Sequence, residues 1–324
     1  MLGRTASSLY WMSRYMERAE NLARLLNANQ MARLLEVGYR ISLMPGAVEG
    51  HRDEWRSTLQ SSACDLAYAE KHDDITAAKV IQFLIFDEDN PSSIRASIKT
   101  ARNNGRAVRT ALTRDVWESI NSTWNELAQV KPSSMTADRL PVFLDWIKQR
   151  VMSFRGALLG TMLRNDTYYF SQLGNFMERA DNTARILDVK YFILLPKATD
   201  VGSDLDMQQW AQILRSVSAH RSYRWFYRDS KYRPWMIAEF LILKEEMPRS
   251  LVFTYYWTNM ALDGLGQLYG KRYDCHDLAQ QTYQRLKSGN MEQIFQSGLH
   301  EFLQEFITAN AALSQSIATN YNFP

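Results

Sequence analysis

The chain carries the same eleven-residue motif twice, and this repeat constrains the fold more than any other feature. Residues 16–26 read MERAENLARLL and residues 177–187 read MERADNTARIL, so eight of eleven positions match at an offset of 161. Each motif opens with a Met-Glu-Arg triplet, and the matching positions include charged as well as apolar residues. We call these two segments the signature motifs.

Other segments recur in the same order along the chain. Trp55 corresponds to Trp210 at an offset of 155, and the sequence FLI at 83–85 returns at 240–242 at an offset of 157. Three matches in one order, at nearly constant spacing, predict a tandem duplication because unrelated segments would not keep both order and distance.

The predicted architecture is a single all-α domain over residues 1–324, with internal repeats at about 1–155 and 156–324. Apolar residues around the first signature motif recur at steps of three and four, the period of an amphipathic helix. No segment shows strand-type alternation between hairpin turns. We expect a multi-helix bundle built from two tandem pseudo-repeats, with about ten to twelve helices. Pro45 predicts a turn and Pro196 the end of a helix.

Composition narrows the functional classes. The 324 residues include 38 basic and 35 acidic side chains, and a net charge of +3 gives little support to nucleic-acid binding. No apolar run approaches the roughly 20 residues that span a bilayer, and no signal peptide is recognisable, so we expect a cytoplasmic protein without membrane contact. Cys64 and Cys275 fit no metal-ligand spacing, and we expect neither a metal nor a cofactor.

On a helix, the first signature motif places a polar stripe opposite its apolar face. Arg18 lies at the edge of this stripe. The residues of the stripe itself are Arg14, Glu17, Glu20, Asn21 and Arg24.

The second signature motif repeats the polar stripe with nearly the same residue types. Asn175 stands where Arg14 would be repeated, so the two stripes are not expected to be equivalent. Arg179 lies at the edge of the second stripe. Its members are Glu178, Asp181, Asn182 and Arg185.

Three interpretations of the stripes remain open. In the first, the stripes are solvated faces, whose charge pairs contribute only ~0.2–0.5 kcal/mol each. In the second, they form a buried network that pairs Glu with Arg across the two halves. In the third, they form a site in which Arg binds a carboxylate or phosphate. In the third interpretation, Glu17 and Glu178 are the candidate catalytic residues, acting as general bases. The candidate ligand-binding residues are Arg14, Arg18, Asn21, Arg24, Arg179, Asn182 and Arg185.

A basic pattern follows the segment Asn90-Pro91-Ser92-Ser93, which predicts a helix start with backbone amides that could hold an anion. The pattern is either a docking groove for an anionic ligand or an acidic partner, or an ordinary solvated surface, which is the interpretation we favour. In the second half, Val252, Tyr256 and Met260 make the counterpart of this stripe apolar, so only one half would bind. The residues of this basic stripe, which would share one helix face, are Arg95, Lys99, Arg102, Arg106 and Arg109.

The signature motifs, the NPSSI sequence at 90–94, and the sequences AEFLIL and MPRSL within residues 238–251 resemble the bacterial alpha-E family, helical proteins named for their Glu-Arg motif. The resemblance covers nearly the whole chain. Genes of this family are associated with circularly permuted ATP-grasp ligases and transglutaminase-like proteins. The Glu-Arg motif of the family maps onto Glu17, Arg18, Glu178 and Arg179.

The resemblance implies a function beside an enzyme that forms amide bonds. Our leading hypothesis is an accessory or substrate-binding subunit that works with an ATP-grasp amidoligase in peptide synthesis or modification, with a peptide or amino acid as ligand. A transglutaminase-like protein is a further candidate partner. The alternative is an enzyme that uses the Glu-Arg residues for acyl or amino-group transfer, and a nucleic-acid-binding helical protein is a weaker alternative.

Overall fold

The computed structural model describes residues 1–43, 51–193, 204–228 and 232–324. Pro45 and Pro196, at which a turn and a helix end were predicted, lie outside these residues. Within the described ranges the chain forms fifteen α-helices and no strand, which confirms the all-α fold. None of these helices is both long and apolar enough to cross a membrane.

The predicted number of ten to twelve helices was too low, because helices of five to eight residues, such as α3, α10 and α14, are too short to show a helical period. The fifteen helices are α1 (Gly3–Leu43), α2 (His51–Ser61), α3 (Asp65–Ala69), α4 (Ala77–Ile85), α5 (Ile94–Ala107), α6 (Arg114–Ala128), α7 (Arg139–Thr161), α8 (Asp166–Ile193), α9 (Asp204–Ser216), α10 (His220–Tyr227), α11 (Pro234–Ile242), α12 (Leu251–Tyr269), α13 (Asp274–Lys287), α14 (Met291–Ser297) and α15 (Leu299–Asn320).

Helices α1 and α8, which carry the signature motifs, form the central pair of the bundle. Their backbones approach closely at Gly174. A Cβ atom added to Gly174 would fall on the carbonyl oxygen of Tyr10 and lie 2.9 Å from the carbonyl carbon. Only glycine fits such a contact, so this residue sets how closely the two signature helices pack.

The remaining helices surround the central pair in matching positions. Helices α5 and α7 pack on α1, as α12 and α15 pack on α8. Helix α2 packs mainly against α8, whereas α9 packs mainly against α1. Each half therefore supplies a helix that covers the signature helix of the other half.

Local geometry recurs at the offsets found in the sequence. The hydroxyls of Ser93 and Ser250 cap α5 and α12, each accepting a hydrogen bond from the backbone amide three residues on. Ala63 and Ser218 adopt left-handed backbone conformations with φ of 52° and 56°. Helices α4 and α11 begin and end at an offset of 157. A tandem duplication predicts these common features, and the two-repeat organisation remains our interpretation of them.

The apolar core consists of two clusters, and α1 contributes to both. Met12 and Met16 belong to the larger cluster, whereas Ala19 and Ala23 belong to the smaller one. Glu17 lies between Met16 and Ala19 in sequence, so the signature motif places a carboxylate at the junction of the two clusters. The site described below occupies this junction.

Replacing Gly174 with alanine should destabilise the protein by about 3 kcal/mol, because the backbones of α1 and α8 would have to separate. The free energy of unfolding from urea denaturation measures this change. Gly160→Ala is the matched control: Gly160 is exposed on α7 with open space around it, and alanine there should stabilise by up to ~1 kcal/mol. Equal stability of Gly174→Ala and the wild type would contradict the close packing described above.

Candidate functional site

The Glu-Arg pairs of the two signature motifs bind each other reciprocally. Arg179 donates to Glu17 through Nε at 2.9 Å and Nη2 at 3.1 Å. Arg18 donates to Glu178 through Nε at 2.6 Å and Nη2 at 3.0 Å. Each glutamate thus receives a two-point contact from the arginine of the other half, the geometry in which guanidinium binds carboxylate most strongly.

The glutamates of the first half lie in a closed ion cluster. Arg155 donates to Glu17 at 2.7 Å and also pairs with Glu20. Arg249 approaches Glu17 at 3.1 Å and Glu20 at 3.3 Å. The side chains of both glutamates are completely buried. Arg24 also pairs with Glu20. We call this group the closed cluster, and its members are Glu17, Glu20, Arg24, Arg155, Arg179 and Arg249.

Electrostatics keep the buried glutamates ionised. Burial by itself would raise the pKa of Glu178, but the charges of Arg18 and Arg14 outweigh it and bring that pKa to about 2. Burial likewise opposes ionisation of Glu17, yet its arginine partners hold its pKa well below the ordinary value. Burial lowers the pKa of Arg249 to about 10, against the opposing effect of Glu17 and Glu20.

The second-half stripe opens onto a cavity of about 360 Å³ between α1 and α8. Its charged lining consists of three arginines and two carboxylates, which leaves one net positive charge. Hydroxyls of Ser61, Ser62, Ser92 and Ser314 add polar groups to its wall. We call it the signature cavity, and its charged and amide lining residues are Arg14, Arg18, Asn21, Glu178, Asp181, Asn182, Arg185, Asn310 and Gln315.

Asn21 presents a buried donor without an acceptor at this cavity. Its Oδ1 accepts a hydrogen bond from Arg249 Nη1 at 2.8 Å, which fixes the orientation of the amide. The Nδ2 of Asn21 is then a donor that has no partner, although the residue is only 4% exposed. Asn182 Nδ2, also on the cavity wall, has no partner either. A buried donor without an acceptor costs ~1–3 kcal/mol, so an acceptor that reached either amide would stabilise the site.

A comparison with known families connects this site to the whole chain. A family model described as a predicted alpha-helical domain with a conserved ER motif matches residues 1–321. The chain belongs to the Alpha-E family. No curated protein and no solved structure matches it. In this Alpha-E chain, the Glu-Arg motifs are the residues that bind each other between α1 and α8.

The structure divides the predicted residues of the Alpha-E site into two groups. Arg24 and Arg179 belong to the closed cluster. The other predicted ligand-binding residues line the cavity: Arg14, Arg18, Asn21, Asn182 and Arg185. Of the three interpretations, a solvated face is wrong for the buried glutamates. A network across the two halves is present, and a cavity adjoins it. Ligand binding and catalysis by these residues remain predictions.

Sequence reasoning missed Arg155 and Arg249, which neutralise the closed cluster. Arg249 lies in the Met-Pro-Arg-Ser-Leu segment that supported the Alpha-E resemblance, at the sequence position that corresponds to Ser92 of the first half. This difference between serine and arginine could have indicated that Arg249 belongs to the site. Arg155 lies on α7, where no repeated segment marks it. The reasoning also missed that Arg14, the residue without a repeat counterpart, donates to Glu178 of the second half at 2.9 Å.

The side chains of the basic stripe do not form one continuous groove that could hold an anion. Arg95 donates to the backbone carbonyl of Val130 beyond the end of α6, and Lys99 pairs with Glu88 at 2.6 Å. Arg102 donates to Asn121 at 2.9 Å, while Arg106 and Arg109 are exposed. Docking of a partner on this face remains a prediction. Among the described residues, no group of three or more His, Cys, Asp or Glu side chains could hold a metal ion.

Glu178 should make stability depend on acidic pH. Its pKa in the folded protein, about 2, lies below the ordinary value of 4.5, so its stabilisation is complete above about pH 4.5. That stabilisation, about 3 kcal/mol by linkage, is lost as the pH falls from 4.5 towards 2. Glu178→Gln removes this titration, so its free energy of unfolding should fall less steeply over this range.

Urea denaturation at a series of pH values measures the effect. At pH 7, Glu178→Gln should cost ~3–5 kcal/mol because Arg14 and Arg18 lose their carboxylate partner. Glu118→Gln, on the exposed face of α6, serves as the control and should keep the wild-type pH profile. Identical pH profiles for Glu178→Gln and the wild type would show that the lowered pKa of Glu178 does not contribute to the pH dependence of stability.

Proposed function

We propose that this protein binds a small molecule bearing a carboxylate in the signature cavity. The observation that carries the proposal is the pair of arginines Arg18 and Arg185, which line the cavity and are each oriented by a carboxylate of α8. The buried Nδ2 of Asn21 is a further donor without an acceptor in the same lining residue set. The cavity volume of about 360 Å³ lies at the small end of the range for ligand sites, which suits an amino acid or a peptide end.

The arginines of the cavity are suited to binding an anionic oxygen of a ligand. Arg18 uses Nε and Nη2 on Glu178, and Arg185 uses the same two atoms on Asp181. The Nη1 of each arginine has no hydrogen-bond partner within the described part of the chain. Arginine held in place by a neighbouring carboxylate is well suited to carboxylate binding because its orientation is already fixed.

The same electrostatics favour binding over general-base catalysis. A general base is most effective when its pKa lies near the working pH. Glu17 and Glu178 are instead held as carboxylates by several arginines, with pKa values well below the ordinary range. We therefore assign them the role of orienting arginines.

The family resemblance supports a partner for this binding function. ATP-grasp ligases activate a carboxylate and join it to an amine, so a subunit that holds a carboxylate substrate would serve such an enzyme. We propose that this protein is an accessory or substrate-binding subunit of a circularly permuted ATP-grasp amidoligase in the cytoplasm, and that it acts in peptide synthesis or modification.

Calorimetric titration with N-acetyl-L-alanine and its C-terminal amide tests the binding site. The acid should bind at least about tenfold more tightly than the amide, because only the acid offers a carboxylate to arginine. Arg18→Lys should weaken binding of the acid by about tenfold, since lysine cannot contact Glu178 and the ligand in the same fixed geometry. Arg106→Lys, an exposed change outside the cavity, is the control. Equal binding of acid and amide would refute the carboxylate site.

Co-purification with the ATP-grasp ligase of the same genome tests the partner. The wild-type chain should retain the ligase through affinity purification. If the basic stripe docks the ligase, Arg106→Glu with Arg109→Glu should reduce the retained amount at least about fivefold, because these residues are exposed and would repel an acidic surface. Arg285→Glu, exposed on α13, should not. Failure of the wild type to retain the ligase would refute the accessory role.

A further inference from the structure

The two signature helices hold the same residue types, yet one site is closed and the other is open. In the closed cluster, the guanidinium of Arg249 fills the space between three acceptors. Its Nη1 lies 3.1 Å from Glu17 and 2.8 Å from Asn21 Oδ1, and its Nη2 lies 3.3 Å from Glu20. The corresponding acceptors of the second half are Glu178, Asn182 and Asp181, and all three line the signature cavity.

Ser92 stands in the first half where Arg249 stands in the second. Arg249 directly precedes the capping residue Ser250 of α12, and Ser92 directly precedes the capping residue Ser93 of α5. Both residues therefore lie immediately before the first turn of corresponding helices, next to a signature helix. Ser92 lines the cavity. A serine leaves unfilled the volume that the longer side chain of Arg249 occupies in the closed cluster.

One further contact of the closed cluster, between Arg155 and Glu20, has no counterpart at the cavity. Arg155 of α7 pairs with Glu20, whereas α15, which packs on α8 as α7 packs on α1, brings Ala311 and Ser314 to the cavity. Arg185 is the only cation paired with Asp181 among the described residues. Asp181 is also one methylene shorter than Glu20, which adds to the open space.

We infer that the ligand of the signature cavity carries a guanidinium group, which occupies between Asp181, Glu178 and Asn182 the place that Arg249 occupies in the closed cluster. This inference rests on the proposed function and specifies its substrate class as an arginine-like molecule that has a carboxylate as well. The carboxylate would face Arg18 and Asn21 Nδ2, and the guanidinium would face Asp181.

The charge balance accommodates such a molecule. The closed cluster combines four arginines with two glutamates, a net charge of +2 inside the fold. The cavity lining has a net charge of +1, so one added guanidinium would give the same balance as the closed cluster. The carboxylate of the same ligand would return the site to +1. A ligand with one guanidinium, one carboxylate and an acylated α-amine, such as the C-terminal arginine of a peptide, therefore adds a cation next to Asp181 without increasing the net charge.

Titration with the N-acetyl derivatives of L-arginine and L-citrulline tests the inference, because the citrulline derivative has nearly the same shape but an uncharged urea group. The arginine derivative should bind at least tenfold more tightly than the citrulline derivative. Asp181→Asn should abolish this preference, and the readout is the ratio of the two affinities, because Asp181 also orients Arg185 and its loss changes carboxylate binding as well. If N-acetyl-L-alanine binds and the arginine derivative binds no more tightly than the citrulline derivative, the guanidinium inference is wrong and the carboxylate site stands. If none of the three binds, both proposals fail.

Arg249→Ser provides a second test, which does not depend on binding to the cavity. This variant gives the closed cluster the serine of the other half. Millimolar agmatine, which has a guanidinium but no carboxylate, should raise the melting temperature of Arg249→Ser by several degrees more than that of the wild type. Arg272→Ser, which removes an exposed arginine paired with Asp263, should show no such gain. Equal responses of Arg249→Ser and Arg272→Ser would overturn the inference that this arrangement of acceptors selects guanidinium.

Discussion

Glu17 and Glu178 are buried carboxylates, and each is stabilised by the signature arginine of the other half. Removing a carboxylate from water costs several kcal/mol, which is offset only when the surrounding donors match its oxygens. Here the matching donors come from a helix more than a hundred residues away in sequence. These contacts therefore fix how α1 packs against α8, in addition to neutralising the buried charges. The positions of the surrounding helices depend in turn on this central pair.

The repeated Glu-Arg residues made part of this arrangement predictable. Polar residues that are kept in both repeats, while an apolar neighbour changes from Leu22 to Thr183, indicate specific contacts. The helical period and the absence of strand patterns predicted the all-α fold. The sequence also predicted that the two stripes would differ, because Asn175 replaces Arg14, whereas the difference in the structure follows from Arg249, Ser92 and Arg155.

The remaining features depend on tertiary contacts that no local pattern records. The basic stripe has regular helical spacing, yet Arg95 bonds to a carbonyl beyond α6 and Lys99 pairs with a neighbouring loop glutamate. Helical spacing gives the direction of a side chain but not the element that meets it. Arg155 is the clearest case, because its position on α7 has no repeat counterpart and its partners lie on α1.

The exchange of arginines between the halves has a consequence for the autonomy of the repeats. A fragment ending after α7 would keep Glu17 without Arg179 and Arg249, and the complementary fragment would keep Glu178 without Arg14 and Arg18. Each fragment would also expose the face of its signature helix that the other now covers. Each piece alone would therefore leave a buried carboxylate without arginines that now pair with it, so the two halves stabilise each other through these contacts.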